Sequence, residues 1–373
     1  MNGSATGQMA GVITALEAMT PEQQTAALQK IAPETSSALG MATSQVVGGA
    51  LDAVAVRLDG IRTQGFTVSL ADDLANGKPV MLAANGETSG LLSRDPSLRH
   101  SLWLKAFGAL GDQDMKDGFA GYDAETAGMA IGSDMLVANG WVVGGAFTYA
   151  STDVSMNDFR SGDSATIDSY QLTAYTSRDF GRWYLEGMAA YALQSYETAR
   201  NTGMTGIAQG DFDGDVWGVR LTGGMPLAMG ANYTVTPLAG LEYNRLKQDG
   251  YTETGAGVLS MQIDGVTAER LRSLVGVKLG TEYLVKSYTM RPSVQVGWRH
   301  DFMDDGIDST ATFTGGGATF TTAGQDLEKD TLSLGVGVNM SKSDRFLLSV
   351  QLDTEQASGY SAYAGQVVAQ WKF

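Results

Sequence analysis

The 373-residue sequence contains no cysteine, only 2 histidines and 7 prolines, and 25 Lys and Arg against 41 Asp and Glu, a net charge of −16. Without cysteine there is no disulfide framework, thiolate metal site or cysteine nucleophile, and two isolated histidines make a poor zinc or haem ligand set. The acidity argues against a nucleic-acid partner, because neutralising phosphates needs clustered Lys and Arg and no basic run of that length occurs. No run of about 18 consecutive apolar residues is present, which argues against a helical membrane span, and Met1-Asn2-Gly3-Ser4 opens no charged-then-apolar leader. What is abundant is glycine, 48 residues, alongside an ordinary 43% hydrophobic content. That pairing is neither collagen-like nor disordered, so the glycine belongs inside regular structure.

Composition changes near residue 100. Before it the chain is rich in Ala, Gln and Glu; after it, in Tyr, Trp, Phe, Thr and Gly. Val12, Ile13, Leu16 and Met19 recur at helical spacing, and Thr20-Pro21-Glu22 starts a second helix with an N-cap and a proline at its first position. These residues, 1–32, form the first segment. Pro33-Glu34 opens a third helix over 33–64, built largely from small side chains that include Gly40, Gly48 and Gly49. Its apolar residues Val47, Leu51, Val54 and Leu58 share one row, and Arg57 and Arg62 sit near its C-terminus, where the helix dipole favours cations. A surface helix of a bundle is the ordinary reading of such a row, but three glycines are unfavourable there. Residues 65–99, with Gly, Asn, Asp, Ser and Pro and no sustained period, read as a linker.

From Leu102 the period is two. Tyr288, Met290, Pro292, Val294, Val296, Trp298, His300 and Phe302 alternate with Thr289, Arg291, Ser293, Gln295, Gly297, Arg299 and Asp301. A soluble sandwich alternates in the same way. These strands, however, extend over about 11–18 residues against the ~5–6 usual in globular sheets, and their apolar faces end in aromatics such as Trp141, Trp183, Trp217, Tyr233, Trp298, Trp371 and Phe373. Short turns (Asn139-Gly140, Phe180-Gly181, Ala228 to Gly230, Lys286-Ser287, Lys342-Ser343) alternate with long, mostly acidic loops. Together these features predict an all-β transmembrane barrel over 100–373, with about twelve antiparallel up-and-down strands and the N-terminal helix threaded through its lumen.

Charges on the polar parity then line a wet lumen, since at mid-membrane on the lipid face each costs up to ~2–4 kcal/mol. They are Lys105, Arg182, Glu186, Arg220, Glu242, Arg270, Arg272, Lys278, Glu282, Arg291, Arg299, Asp353 and Glu355. Glu186, Glu242 or Glu282 are the expected partners of Arg57 or Arg62; pairing of the wall charges only with one another is the competing arrangement. Catalytic constellations fall short. Gly162-Asp163-Ser164 is followed by Ala165 and has no Asp-x-x-His partner, and neither His100 nor His300 can be tied to a serine and an acid. Asp211-x-Asp213-x-Asp215 begins like a calcium loop, but Val216 replaces its glycine and Thr222 its bidentate glutamate, so a solvated acidic loop is expected. No catalytic residue, metal or cofactor is assigned.

The order of parts resembles the C-terminal translocator of an autotransporter of Gram-negative bacteria (type V secretion). The matching features are an Ala-rich leader, a small-residue helix closing in Ala55-Val56-Arg57-Leu58-Asp59-Gly60-Ile61-Arg62, a linker, a first strand Leu102-Trp103-Leu104-Lys105-Ala106-Phe107-Gly108, and a last strand ending Trp371-Lys372-Phe373. The resemblance covers about residues 8–373. It implies a non-enzymatic outer-membrane anchor that exports an N-terminal passenger to the cell surface, with the acidic loops and passenger outside. Implied partners are membrane lipid and lipopolysaccharide, periplasmic chaperones, the barrel-insertion machinery and the chain's own passenger, and a monomer is expected. Gln366, Trp371 and Phe373 match the family's insertion signal; Val368 stands where it has glycine. No Asn-Asn pair like that of self-cleaving members is found at the helix. A chain of this kind is expected to be the translocator portion of a longer precursor. The rival readings are a porin-like channel with residues 1–64 periplasmic, and an outer-membrane hydrolase.

Overall fold

A computed structural model describes residues 7–33, 35–75 and 100–373 apart from 231, 304, 305, 327 and 344. Three helices come first: α1 (Gln8–Glu17), α2 (Pro21–Ile31) and α3 (Thr35–Ala75). Thr20 caps α2 in a reciprocal box, its side chain accepting from the Gln23 N–H while the Gln23 side chain accepts from the Thr20 N–H. Helix α3 has 41 residues, about 60 Å at ~1.5 Å per residue, and so continues well past the end expected at residue 64. Residues 65–75 are therefore helical rather than linker, and the rest of the expected linker lies outside the described residues. Ala38–Arg62 is long and apolar enough to cross a membrane by composition alone. The hydropathy of this helix is diluted by Gly, Ser and Thr, which is why no unbroken apolar run announces it.

Twelve long antiparallel strands follow: β1 (His100–Gln113), β2 (Tyr122–Leu136), β3 (Trp141–Met156), β4 (Ser164–Asp179), β5 (Tyr184–Asn201), β6 (Ile207–Gly224), β7 (Tyr233–Gln248), β8 (Val266–Thr281), β9 (Tyr288–Asp301), β10 (Asp330–Ser343), β11 (Phe346–Ala357) and β12 (Tyr360–Lys372). Each pairs with its neighbours in sequence, and β12 pairs back onto β1 from Ser101↔Lys372 to Gln113↔Tyr360, so the barrel closes without an edge. Closure satisfies every ladder group without water, which an open sheet in lipid cannot do. Short strands Leu227–Met229 and Tyr283–Val285 extend two of the hairpins. The tight turns use left-handed backbone where glycine or asparagine accommodates it, as at Asn139 (φ 59°) and Gly140 (φ 76°).

The outward parity is apolar all round the barrel. Met129, Leu172, Leu193, Leu221, Val277, Val296 and Leu352 are all exposed, a continuous band that only a non-aqueous surround explains. Trp183, Trp217, Tyr233, Trp298, Trp371 and Phe373 project from its borders. Inward, most residues are small or polar, apart from a patch that includes Trp103, Tyr175, Met188 and Val368. The glycines at 218, 224, 276, 280, 297, 335 and 337 fall on this inner parity, as the alternation requires. The long-loop end is more ordered than expected. Tyr251–Thr252, Met261–Ile263, Ser309–Phe313 and Phe320–Thr322 form a small four-stranded sheet, and Val12 and Ile31 pack on Leu259, Met261, Ile263 and Ala311 beneath α1 and α2. Asp211, Asp213 and Asp215 are not in a loop either. They alternate outward along β6, on the same face as Trp217, because the strand continues beyond the apolar band.

Candidate functional site

The site is the lumen together with the helix inside it. The direction of α3 is fixed by its ends. Gly40 lies against Ile307 and Leu246 at the long-loop end, and Gly60 against Leu347 at the short-turn end. The row Val47, Leu51, Val54, Leu58 is fully buried; Leu51, Val54 and Leu58, with Ile61, pack on Trp103, Ala130, Val142, Tyr175, Met188 and Val368, and Val47 packs on Ala192, Val216 and Leu246. The helix therefore leans on one wall of the barrel, mainly β1–β6. Its other flank, with Gln45, Gly48, Gly49, Asp52, Asp59 and Arg62, borders a cavity of about 290 Å³ lined mainly by charged and polar side chains of β6 to β12.

Ion pairs join helix and wall. Arg57 pairs with Asp134 of β2 at 2.8 Å, Arg62 with Glu186 of β5, Asp52 with Arg220 of β6 at 2.5 Å, and Asp59 with Lys278 of β8 at 2.7 Å. Asn339 of β10 also donates to Asp59, and the Gln45 amide to the Tyr360 hydroxyl. Gly48 and Gly49 have a separate use. Both face the lumen cations, and their carbonyls accept from Arg220 at 3.5 Å and Lys105 at 3.4 Å. The wall charges also pair among themselves: Arg220 with Glu242 at 2.5 Å, Arg270 and Arg272 with Asp301, Arg272 and Arg299 with Glu355, and Arg291 with Glu282 at 3.1 Å. Asp353 accepts from Gln351 and Gln366. Of the expected helix partners, Glu186 pairs with Arg62, whereas Glu242 and Glu282 pair with wall arginines and Arg57 takes Asp134 instead, which stands level with it on β2.

Arg182 is a correction. It lies exposed in the turn between β4 and β5, where Gly181 (φ 87°) reverses the chain, so the parity of the strand does not carry into it. The strand-end residues also separate. Gln366 faces the lumen, whereas Trp371 and Phe373 face outward; the Phe373 N–H donates to the His100 carbonyl at 2.9 Å, and the Phe373 carbonyl accepts from the His100 N–H at 3.2 Å. Sequence reasoning missed Asp52, Asp59, Asp134 and Asp301, although the last two stand on inward parity and the first two are seven residues apart on α3. It also missed a grip on the emerging chain. At the long-loop end Arg200, held by Glu253, donates to the Ile31 carbonyl at 2.9 Å, and Arg160, held by Asp163, donates to that of Ala32. Burial pushes the Asp163 carboxyl up, against the pull of the Asn201 N–H and Arg160.

Comparison with known proteins agrees with this geometry. The family model described as autotransporter beta-domain matches residues 102–353. Outer membrane protein B of Rickettsia japonica is 26% identical over 354 residues, 92% of this chain and 21% of that protein. The chain spans about a fifth of the length of the curated relatives it matches. Among solved structures, the translocator domain of autotransporter NalP from Neisseria meningitidis superposes with a TM-score of 0.60 at 19% identity, covering 86% of this chain and 98% of that one. The beta domain of the Bordetella autotransporter BrkA gives 0.58 at 16% identity, covering 74% and 100%. With its closed twelve-stranded barrel and threaded helix, the chain belongs to the autotransporter beta-domain family of the bacterial outer membrane.

Proposed function

We propose that the chain is a translocator: its barrel anchors in the outer membrane, and the lumen carries an N-terminal passenger to the cell surface. The observation that supports this most is the path of the chain. It enters the lumen at the short-turn end, where β1 begins, and leaves at the long-loop end, where α1 and α2 rest on the loops. If the short turns are periplasmic, everything preceding residue 35 is delivered outside.

The chemistry required is passive. A polar wall lets a hydrated or helical segment slide, because each lumen charge finds water or a counter-charge at successive positions. At rest these helix–wall pairs and the apolar row on β1–β6 hold α3 as a plug. The chain acts as a monomer without a cofactor and is not an enzyme in this reading. Its partners are outer-membrane lipid and lipopolysaccharide, periplasmic chaperones and the insertion machinery, for which Gln366, Trp371 and Phe373 supply the signal.

The test is to fuse a small folded reporter before residue 1, behind an export signal, and to treat intact cells with protease. Reporter digestion on intact cells is the expected result; digestion only after the outer membrane is opened leaves the N-terminal side periplasmic and supports a channel instead.

A further inference from the structure

In a barrel made from one chain, eleven strand pairings join neighbours in sequence, while the pairing of β1 with β12 joins the two ends. That seam carries the largest loop-closure entropy and has no covalent hairpin to hold it. The guanidinium of Arg57, on the lumen helix, sits across it. Its Nη1 donates to Gln370 of β12 at 2.7 Å, and its Nη2 donates to Ser101 of β1 at 2.7 Å and to Asp134 of β2 at 2.8 Å, with Nε completing a bidentate grip on Asp134 at 2.9 Å. Asp134 stands directly opposite Ser101 in the ladder and accepts from its hydroxyl. It also accepts from Tyr175 at 3.0 Å, and the Tyr175 oxygen in turn accepts from the Trp103 indole at 2.8 Å. Arg57, Ser101, Asp134 and Gln370 are all buried.

We propose that this constellation is a guanidinium receptor that clasps the closing seam, so that barrel closure depends on the helix being seated at one depth. The receptor is assembled only when β12 lies beside β1, since its ligands come from both sides of the seam. It is filled only when Arg57 is level with Ser101. One turn of helix in either direction moves the guanidinium about 5.4 Å and leaves Asp134 buried without its cation. Arg62, about a turn further on, is bound by Glu186 of β5, remote from the seam, and has no such coupling. This clasp is a property of the resting barrel and holds whatever passes through the lumen.

Hydrogen exchange of backbone amides in the full chain, folded in lipid nanodiscs, tests it, because exchange reports local opening strand by strand. The variants are Arg57→Gln, the charge-neutral pair Arg57→Gln with Asp134→Asn, and Arg62→Gln. In the neutral pair no lone charge is buried, so misfolding through desolvation does not confuse the result. The neutral pair is expected to exchange about tenfold or more faster than wild type at residues 101–107 and 366–372. At β4 and β5 it changes less than about twofold, and Arg62→Gln leaves the seam at its wild-type rate. Failure of the neutral pair to reach the closed, heat-modifiable form while Arg62→Gln reaches it is the same outcome in extreme form. A neutral pair that closes with wild-type exchange at the seam, or that speeds exchange equally around the barrel, overturns the proposal, whatever Arg57→Gln alone does.

Discussion

Gly132 lies beneath the indole of Trp103, and a Cβ there would stand 2.2 Å from the ring. The ring cannot step aside, because Trp103 is fully buried and its N–H is bonded to Tyr175. Gly132→Ala is therefore expected to cost about 1–3 kcal/mol by overpacking, read as a lower temperature at which the folded band disappears in heat-modifiability gels. Gly49 gives the opposite expectation. A Cβ there meets nothing within 4 Å, and alanine is the better helix former by ~1 kcal/mol, so Gly49→Ala leaves that temperature unchanged or raises it. Equal losses at both sites would show that the glycines serve overall flexibility rather than particular close approaches.

At the level of elements, the two faces of a strand differ in what they tolerate. Leu172, outward on β4 and well exposed, is expected to accept arginine at a cost of about 2–4 kcal/mol in a bilayer, whereas β6 already carries Arg220 on its inner face against Asp52 and Glu242. Urea titration of the barrel in lipid vesicles measures the loss. For α2, Thr20→Ala removes one half of the capping box and should cost about 1 kcal/mol, seen as faster hydrogen exchange in that helix with the barrel unaffected. Alternation made the barrel legible in the sequence, because within the membrane band outward residues meet lipid and inward ones meet the lumen. The apolar row of α3 was legible for the same reason. Other features depend on contacts between segments far apart in sequence. Ser101, Asp134 and Gln370 are unremarkable polar residues until the seam brings them to Arg57, and the loop sheet is built from pieces of two to five residues, too short for a period to register. Arg182 failed because parity was carried into a turn, and Asp211 to Asp215 because acidity was taken for a loop when the strand simply rises above the membrane.

For the molecule as a whole, a plugged barrel and an open one differ in conductance. A chain lacking residues 1–64 is expected to conduct well above the full chain in planar bilayers, since α3 runs along the lumen with its apolar row packed on the wall; equal conductance would show that the helix does not fill the lumen. The central claim is the direction of the chain through the barrel. The absence of native cysteine makes it directly measurable: Glu17→Cys in α1 and Lys286→Cys in a short turn are labelled separately on intact cells with a membrane-impermeant maleimide. The account predicts that Glu17→Cys reacts on intact cells and Lys286→Cys reacts only after the outer membrane is permeabilised. The reverse pattern, or protection of both until permeabilisation, would contradict it.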